Sequence, residues 1–449
     1  MPLTSGELKR KLVHVGVGAF ALLLRYLTWP EAAAMAAGAF LFNWLVLPRL
    51  GGRALWREHD HGAGYPIGIL IYPLSVLALV LVLREDRWMV AAVWGLLAVG
   101  DGMASIVGQA VGGPRLPWNA RKGWAGFTAF VVFGGLAAAL LSVWTLEMPP
   151  SAAASPWILV VVVPVTLLCA LVESVPTTLD DNFTVPLVGG IAIALVARAD
   201  LTIFFGDPTL ARRAGLGLAI NVAIAALAYA LKSIDVAGAL SAIVIGTVIT
   251  AGLGLSGLAV MIAFFVVGTA VTKLGYRVKA QRGIAQEKGG ARGWRNAWAN
   301  GGVPAALALL AGFSAPDDRY LFALAYAAAV ATAGADTCSS EVGKAYGRRT
   351  FLITTLRPVP PGTEGAISAE GTLAGLAGAM VIASVGVAGG LYGPSAAALV
   401  AIAGLLGSLA ESVLGTVAEK RGWLDNDLLN AVNTAIGAAL VVLMVRAAA

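Results

Sequence analysis

The sequence has few charged residues. Of its 449 residues, 12% are Asp, Glu, Lys or Arg and 58% are hydrophobic. Soluble domains carry roughly 25% charged residues, so too few polar side chains are present to cover a water-facing surface. Cysteine is also scarce, and the two present, Cys169 and Cys338, lie far apart in apolar stretches, which argues against a disulfide. The chain is therefore predicted to be an integral membrane protein.

Signatures of several enzyme classes are also missing. The sequence has no phosphate-binding P-loop, no zinc signature and no Ser-His-Asp order of the kind found in hydrolases. Two of its three histidines, His59 and His61, stand two residues apart in one loop, which is a weak signal for a metal site. The net charge of +6 falls in short loops between apolar segments, as the positive-inside rule requires. No nucleic acid is expected as a partner.

Apolar segments of about 20 residues occur along the whole chain, and that length crosses the hydrocarbon core of a bilayer. A mean hydropathy of +0.82 and 55 glycines fit closely packed membrane helices. The predicted fold is all-α, a polytopic transmembrane helical bundle of about fifteen spans whose first apolar run is an uncleaved helix. The spans are predicted at 12–28, 31–47, 66–84, 88–110, 124–146, 156–173, 184–200, 209–231, 234–253, 256–274, 302–315, 319–343, 371–391, 394–416 and 428–447.

Most Lys and Arg residues fall in loops on one side of the membrane if the N-terminus is inside. This distribution predicts a multi-pass protein of the cytoplasmic (inner) membrane whose motif-bearing loops face the cytoplasm. Five arginines in outward-facing positions weaken the charge argument. They are Arg84, Arg87, Arg198, Arg212 and Arg213.

Three pairs of strings recur in the same order in the two halves of the chain. GDGMASIVGQAVGG corresponds to GADTCSSEVGKAYGRR, RKGWAGF to AEGTLAGL, and LVESVPTTLDDN to LAESVLGTVAEKRGWLDND. A weaker pair, RKLVHVGVG and RNAWANGGV, aligns His14 with Asn300. The shared order predicts two loosely repeated halves in parallel orientation, with domains at 1–205 and 206–449.

Carboxylates inside or beside apolar spans are costly and are therefore candidate functional groups. Asp101 and Asp336 each precede two glycines at the same spacing, and a second acidic set begins near Glu173 and near Glu411. Oxygen ligands suit Mg²⁺ or Mn²⁺ rather than zinc, although a single Asp in such a place can also cap a helix. The metal ligands predicted from this pattern are Asp101, Glu173, Asp181, Asp336, Glu411, Asp425 and Asp427.

Basic residues and glycines near these carboxylates are candidate phosphate ligands. Lys122, or Arg348 with Arg349, would supply positive charge, and His14 could contact phosphate or activate a hydroxyl. Anchoring at the membrane interface is the alternative for the basic residues, and helix packing is the alternative for glycines four residues apart. The candidate phosphate- or nucleotide-binding residues are Gly108, Gly112, Arg10, Lys11, Gly343, Gly347, Arg348, Arg349, Asn296 and Asn300.

Residues 1–200 resemble the phytol kinase and dolichol kinase group of membrane enzymes through RKLVHVGVG, GDGMASIVGQAVGG, RKGWAGF and ESVPTTLDDN. They depart from that group at Asp101-Gly102, where its members often have Asp-Ala or Asp-Thr. Residues 213–449 resemble a second family, long labelled a domain of unknown function, that includes the phytyl-phosphate kinase of the vitamin E pathway. That similarity runs through AQEKGGARGWRNAWANGGV, GADTCSSEVGKAYGRRTFLITTLRPVPPGTEG and LGSLAESVLGTVAEKRGWLDND.

The resemblance implies that the first half transfers phosphate from a nucleoside triphosphate, often CTP in this group, to an isoprenoid alcohol in the lipid bilayer. The second half would then phosphorylate the isoprenyl monophosphate to a diphosphate. Phosphoryl transfer depends mainly on positioning and charge neutralisation, through Mg²⁺ or Mn²⁺ and cations. The implied site residues are Asp101, Lys122 and Glu173 in the first half, and Asp336, Glu341 (also a metal ligand), Lys344, Arg348 and Glu370 in the second. Asp101, Asp336, Lys122 and His14 are predicted to be catalytic.

Two other functions fit the same residues. A cytidylyltransferase joins CTP to a lipid phosphate with similar ligands, and it releases diphosphate rather than CDP. A membrane transporter with paired repeats would also carry intramembrane carboxylates, but the polar residues here gather near one predicted face rather than at the midplane.

Overall fold

The computed structural model of the chain describes residues 5–50, 67–176, 179–284, 293–416 and 426–448. Most of these residues are helical, and the strands among them form two small β-hairpins, which confirms the predicted all-α membrane class. Ten of the described helices are long and apolar enough to cross a bilayer, and Ile67–Val82 and Asp181–Val196 are shorter apolar helices. The predicted number of about fifteen spans is not confirmed. Residues Met1–Arg198 and Ala199–Ala449 form two compact units, here called the N-terminal and C-terminal units.

The N-terminal unit is built around one buried helix, and its elements follow from local signals in the sequence. Thr28 and Glu31 form a capping box at the start of the second helix, and the Asp180 side chain accepts from the backbone N–H of Asn182 at the start of the last. The elements are α1 Ser5–Val17, continued by a 3₁₀ segment Gly18–Arg25, α2 Trp29–Leu50, α3 Ile67–Val82, α4 Arg87–Val111, β1 Arg115–Leu116, β2 Asn119–Gly123, α5 Trp124–Thr145, α6 Pro156–Ser174 and α7 Asp181–Val196.

Helix α4 contains a π-helical turn, Leu96–Gly100, directly before Asp101. A second π-helical turn, Phe130–Gly134 in α5, packs against it, and a Cβ at Gly134 would lie 2.9 Å from the Cα of Gly100. Such turns insert one extra residue into a helix and are frequent at functional sites. The local widening of α4 therefore coincides with the carboxylate that the sequence singles out.

The C-terminal unit has its own buried central helix, α13. The run Phe322–Ala335 of that helix is buried throughout and rich in alanine, which lets the neighbouring helices approach closely. The elements are α8 Leu201–Phe205, α9 Leu210–Ala230, α10 Val236–Lys273, α11 Tyr276–Gln281, α12 Trp294–Gly312, α13 Pro316–Tyr346, β3 Phe351–Leu352, β4 Ala366–Ile367, α14 Ala369–Ala388, α15 Pro394–Leu414 and α16 Asn426–Ala448.

Helix α10 reverses direction at Gly254. This residue has φ +69° and ψ −163°, a backbone conformation that glycine tolerates and side-chain-bearing residues avoid. Ala239 before the turn and Phe265 after it pack on the same small cluster, which a continuous helix would not allow. The two arms therefore correspond to the spans predicted at 234–253 and 256–274.

The two units share a helix–hairpin–helix element. Strands β1 and β2 join α4 to α5, and β3 and β4 join α13 to α14, each pair antiparallel. A Cβ at Gly126 would lie 2.8 Å from the carbonyl oxygen of Ala104, and one at Gly371 would lie 2.7 Å from that of Ser339. Ala104 and Ser339 each follow the motif aspartate by three residues, so the crossings are equivalent.

This equivalence shifts the sequence pairing of RKGWAGF with AEGTLAGL. Pairing the first glycine of each string would match Lys122 with Glu370. The helix crossing instead matches Gly126 with Gly371, which places Ile367 opposite Lys122. The repeat therefore extends to the helix packing but not to this cation.

Candidate active site

Asp101 is the centre of the candidate site in the N-terminal unit. Its residue is 4% exposed, and it accepts a hydrogen bond of 3.0 Å from the Lys11 ammonium. The Nε2 atom of His14 lies 3.3 Å from the same carboxylate oxygen. Lys11 and His14 are three residues apart on α1 and so share one face. The structure therefore brings together three residues that the sequence predicts for this site.

His14 is held in one orientation by its neighbours. Its Nε2 atom lies 2.9 Å from the carbonyl oxygen of Leu97. A carbonyl only accepts, so Nε2 carries the hydrogen and the lone pair of a neutral imidazole is on Nδ1. The ring also meets Tyr72 edge-on at 5.0 Å, and the Tyr72 hydroxyl accepts from the indole N–H of Trp94 at 2.9 Å. The ring thus presents its Nε2–H to Leu97 and Asp101 and keeps Nδ1 as the acceptor of the neutral imidazole.

Three carboxylates converge in the same region. Oxygens of Asp101, Glu173 and Asp181 all lie within 4.8 Å of one another. Glu173 stands near the end of α6 and Asp181 at the start of α7, so two helix ends supply them. Three carboxylate oxygens at this separation suit a hard cation such as Mg²⁺ or Mn²⁺. The residues present fit the metal that the sequence predicts.

Lys122 reaches these carboxylates from the hairpin. Its ammonium lies 2.6 Å from Glu173 Oε1 and 3.5 Å from Asp181 Oδ2, and it also donates to the Glu173 carbonyl oxygen. Burial alone would lower the pKa of Lys122, but the negative charges of Glu173 and Asp181 outweigh burial, so its pKa is raised. Lys122 is therefore a permanent positive charge at neutral pH.

The hairpin is fastened to the C-terminal end of α6. The Asn119 side chain donates to the Ser174 carbonyl oxygen at 2.9 Å, and the Trp118 indole donates to the Ser174 hydroxyl at 2.9 Å. These bonds satisfy carbonyl and hydroxyl groups where α6 ends. They also fix the strand that carries Lys122.

A cavity of about 160 Å³ opens onto Asp101. Its polar end is formed by Arg10, Lys11, His14, Asp101, Asp180, Asp181 and Asn182, and Val13, Val17, Leu47 and Ile69 contribute an apolar wall. An amphipathic cavity of this kind suits a ligand with a polar head and an apolar chain.

Gly108 and Gly112, which the sequence predicts as phosphate ligands, have structural roles in this unit. A Cβ at Gly108 would lie 3.2 Å from the Cα of Gly126, so Gly108 allows α4 and α5 to cross closely. Gly112 follows the end of α4 with φ +66°, which glycine adopts readily. Neither residue lines the cavity. The helix-packing interpretation therefore replaces phosphate binding for Gly108.

The C-terminal unit has a larger and more polar cavity of about 250 Å³ around Asp336. Lys344, Glu411, Gly343 and Asn426 also line it, so these predicted residues do converge. The side-chain hydroxyls along its wall belong to Ser339, Ser340, Thr350, Thr363, Ser368, Thr372, Ser408 and Ser412. The sequence analysis missed these hydroxyls, for which the only signal is serine and threonine recurring beside the motif carboxylates.

Other predicted residues of this unit lie elsewhere. Glu341, predicted as a metal ligand, forms a buried ion pair with Lys279, the two side chains being 3% and 1% exposed, and it is absent from the described lining of the Asp336 cavity. Asp427 pairs with Arg295 at 3.0 Å instead of lining the cavity. Gly347, Arg348, Arg349 and Glu370 are also absent from the described lining, and both arginines are exposed. Asp425 lies outside the described residues, as do His59 and His61.

Asn296 and Asn300 line a separate cavity of about 120 Å³ between α9, α10 and α12. That cavity is mostly apolar, and the described lining around Asp336 includes neither asparagine. The predicted correspondence of Asn300 with His14 is therefore corrected, because His14 contacts Asp101 whereas Asn300 belongs to another cavity. Placing the two asparagines at a nucleotide site is corrected for the same reason.

Apolar helices long enough to cross a bilayer, with buried carboxylates and ammonium groups between them, define a polytopic membrane protein whose sites suit a divalent metal and phosphate. The sequence profile of a family described as integral membrane protein DUF92 matches residues 219–438. An uncharacterized membrane protein of Synechocystis sp. is 42% identical over 200 residues, which are 44% of this chain and 78% of that protein. The chain belongs to this DUF92 family of integral membrane proteins.

Two named kinases are also similar to the chain. Probable phytol kinase 3, chloroplastic, of Glycine max is 35% identical over 195 residues, which are 40% of this chain and 60% of that protein. Farnesol kinase, chloroplastic, of Arabidopsis thaliana is 32% identical over 203 residues, which are 41% of this chain and 64% of that protein. This chain therefore spans less than two thirds of either kinase. No solved structure is significantly similar to it.

Proposed function

We propose that the protein is a membrane isoprenoid kinase with two active sites. The N-terminal unit phosphorylates an isoprenoid alcohol of the phytol or polyprenol type, and the C-terminal unit phosphorylates the resulting isoprenyl monophosphate. The names of the relatives indicate a lipid kinase, that is, a phosphotransferase. The proposed fusion of two kinase-like domains divided near residue 205 rests on the strings that recur in the two halves of the sequence and on the two compact units.

The observation that carries this proposal is the amphipathic cavity at Asp101. A lipid alcohol needs an apolar wall for its chain and a polar end for its hydroxyl, and this cavity has both. The Asp336 cavity is lined instead by hydroxyl side chains, by Lys344 and by the carboxylates of Asp336, Glu364 and Glu411, and a divalent metal on those carboxylates would suit it to a ligand that already carries phosphate. The contrast supports the order of the two steps.

In the first step the alcohol oxygen forms a bond to the γ-phosphorus of the nucleoside triphosphate. The bond between that phosphorus and the β–γ bridging oxygen breaks, and a nucleoside diphosphate leaves. The hydroxyl proton passes to His14 Nδ1, the lone-pair nitrogen of the imidazole that Leu97 and Asp101 orient. Lys11 forms an ion pair with Asp101 beside it, and Lys122 offsets negative charge nearby.

In the second step the attacking oxygen belongs to a phosphate monoester. The second pKa of such a group is about 6, so at neutral pH the oxygen is already anionic and no base is required. The two reacting phosphates repel each other, and Lys344 in the cavity wall supplies compensating positive charge. The absence of histidine from residues 206–449 agrees with this chemistry.

A divalent metal would be held by Asp101, Glu173 and Asp181 in the first unit, and by Asp336 and Glu411 in the second. Mg²⁺ or Mn²⁺ would offset phosphate charge when bound there. CTP is the donor that we propose, because the resemblance to the phytol and dolichol kinase group implies it.

The direct test uses purified protein in lipid nanodiscs with Mg²⁺, phytol or farnesol, and γ-labelled CTP or ATP. We expect labelled monophosphate to form first and diphosphate afterwards, with CDP released. A CDP-lipid with released diphosphate would instead identify a cytidylyltransferase. Nucleotide-independent flux of the lipid or its phosphate in proteoliposomes, with no phosphorylated product, would favour a transporter.

We also propose that both hairpins face the cytoplasm, where nucleoside triphosphates are found, in a parallel repeat of the cytoplasmic membrane. Arg121 and Thr354 are exposed hairpin residues, and single cysteines there can be placed in a Cys169→Ser, Cys338→Ser background. Both native cysteines are buried. An impermeant maleimide should label both sites in inverted vesicles and neither in intact cells. Labelling from opposite sides would contradict a shared face.

A further inference from the structure

The mostly apolar cavity of the C-terminal unit has no role in the chemistry described above. It lies between α9, the two arms of α10 and α12, and its volume is about 120 Å³. Its apolar lining includes Ile224, Ile245, Leu258, Met261, Phe264 and Phe265. A cavity of about 150 Å³ with similar lining binds benzene. This cavity therefore has room for about one five-carbon isoprene unit.

The asparagines at this cavity do not make it a polar site. Asn221 donates from its amide nitrogen to the carbonyl oxygen of Gly217 at 2.7 Å, and Asn300 donates to that of Asn296 at 3.0 Å. Both bonds run within one helix, so each of these two amides already donates one hydrogen to backbone, and Asn296 is the third asparagine of an otherwise mostly apolar lining. The cavity is thus suited to hydrocarbon rather than to a charged cofactor.

The apolar cavity and the Asp336 cavity approach each other at the N-terminal ends of α12 and α16. Asn296 lines the apolar cavity and Asn426 lines the polar one. Their chain neighbours, Arg295 and Asp427, form an ion pair of 3.0 Å. One salt bridge therefore joins the rims of the two cavities.

A second contact links the apolar cavity to the central helix. Phe264 lines the cavity, and a Cβ at Gly334 would lie 3.9 Å from its ring. Gly334 precedes Asp336 by two residues on α13. The apolar cavity and the Asp336 cavity thus flank the same stretch of that helix.

We propose that the apolar cavity receives the isoprenoid chain of a monophosphate whose phosphate group lies beside Asp336 and Lys344. This inference rests on the function proposed for the C-terminal unit and names the part of the chain that sets its substrate preference. One molecule with a charged head and an apolar tail matches a polar cavity and an apolar cavity joined at their rims. A five-carbon monophosphate would bind by its head alone, whereas a twenty-carbon one would also occupy the apolar cavity.

The test compares dimethylallyl monophosphate with geranylgeranyl monophosphate as acceptors. Ala242→Phe fills the cavity and Met261→Ala enlarges it, since both residues line it. Leu240→Phe is the matched control, because Leu240 is exposed on the same arm of α10. We expect Ala242→Phe to raise KM for the twenty-carbon substrate about tenfold or more, while kcat and the KM for the five-carbon substrate stay unchanged. Met261→Ala should weaken only the longer substrate, and the control should change neither.

Equal changes in KM for both substrates, or no change for either, would overturn the inference. Ala242→Phe could also fail to fold, and the thermal unfolding midpoint identifies that case. Met261→Ala, which only removes atoms, then carries the test. Equilibrium binding of labelled geranylgeranyl monophosphate gives a readout without turnover. One outcome would contradict the proposed function but support the site. In it, the wild-type protein phosphorylates neither substrate but binds geranylgeranyl monophosphate, and the cavity variants change that binding.

Discussion

Asp101 in the N-terminal unit has a histidine and a lysine of α1 within 3.3 Å of its carboxylate. Asp336, at the corresponding position of the C-terminal unit, lies in a cavity walled by serine and threonine hydroxyls. Both aspartates stand on a buried central helix that continues through a β-hairpin into a second helix. The common element thus positions a carboxylate, and the neighbouring helices decide which groups accompany it.

The cations of the two units also come from different elements. Lys122 extends from the hairpin of the N-terminal unit, whereas Lys344 stands on α13, eight residues after Asp336. A π-helical turn precedes Asp101, and the residues before Asp336 form a regular helix. The helix crossing at Gly126 and Gly371 is common to the two units, whereas the groups beside the two aspartates differ, as the proposed alcohol and phosphate substrates would require.

The largest effect is expected from removing the metal. Both phosphorylation steps should fall by about 10³-fold or more in excess EDTA, because the metal offsets several kcal/mol of developing charge. Mg²⁺ or Mn²⁺ should restore both steps and Zn²⁺ neither, since the proposed ligands are the carboxylates grouped at Asp101 and those lining the Asp336 cavity. Separate assays of alcohol and monophosphate phosphorylation measure this. Full turnover of either substrate in EDTA would remove the metal from that unit's chemistry.

Replacing His14 should separate the two steps. His14→Gln removes the proton acceptor, so alcohol phosphorylation should fall by about 10³-fold. Monophosphate phosphorylation should not change, because an anionic oxygen needs no base. The pH dependence of kcat for the alcohol should lose its acidic limb in the variant. Unchanged alcohol turnover would assign His14 to anchoring at the membrane interface instead.

Lys122 and Lys344 should each affect one step, by about 10²-fold on replacement with Met. Lys122→Arg, which keeps the charge, is the matched control for the first step. The pKa of Lys122 is raised above its ordinary value of 10.5, so this residue stays protonated below that pH and loses its charge only as pH rises through the raised value. Alcohol phosphorylation by the wild-type protein should therefore not decline between pH 7 and 9 through loss of the Lys122 charge. A decline over that range that is absent from Lys122→Arg would contradict the assignment.

The helix crossings should respond alike to a methyl group. Gly126→Ala and Gly371→Ala would each place a Cβ against a backbone oxygen at 2.8 Å and 2.7 Å, so we expect each to destabilise the fold by about 1–3 kcal/mol. Gly38→Ala and Gly215→Ala are controls, because a Cβ at either position meets nothing within 4 Å. Thermal unfolding in detergent measures the change. A large effect at only one crossing would contradict their equivalence.

Much of the fold could be predicted because its determinants are local. The length and apolarity of each segment give the membrane class. Asp101, which follows the π-helical turn, stands out because a carboxylate in an apolar span is costly. The same reasoning predicted Glu173 and Asp181 with Asp101, since Asp101 lies within one predicted span, Glu173 ends another and Asp181 stands just before a third. The reversal at Gly254 also agrees with two adjacent predicted spans.

What could not be predicted depends on the direction in which side chains point. Glu341 stands five residues after Asp336, which turns it to a different face of α13, where Lys279 pairs with it. The pairing of Asn300 with His14 rested on the similarity of two strings alone. Asn300 stands on α12 and lines the apolar cavity rather than the one around Asp336. The hydroxyl wall around Asp336 is assembled from α13, α14, α15 and the hairpin, so no short string contains it.

The most direct test of two separate sites is complementation between inactive variants. Asp101→Ala should abolish monophosphate formation and spare conversion of monophosphate to diphosphate, and Asp336→Ala should do the converse. When the two purified variants are reconstituted in the same liposomes with phytol, Mg²⁺ and CTP, diphosphate formation should return, because the monophosphate made by one protein can diffuse to the other. If each variant has lost both steps and the mixture stays inactive, the two aspartates belong to one composite site and the two-site account is wrong.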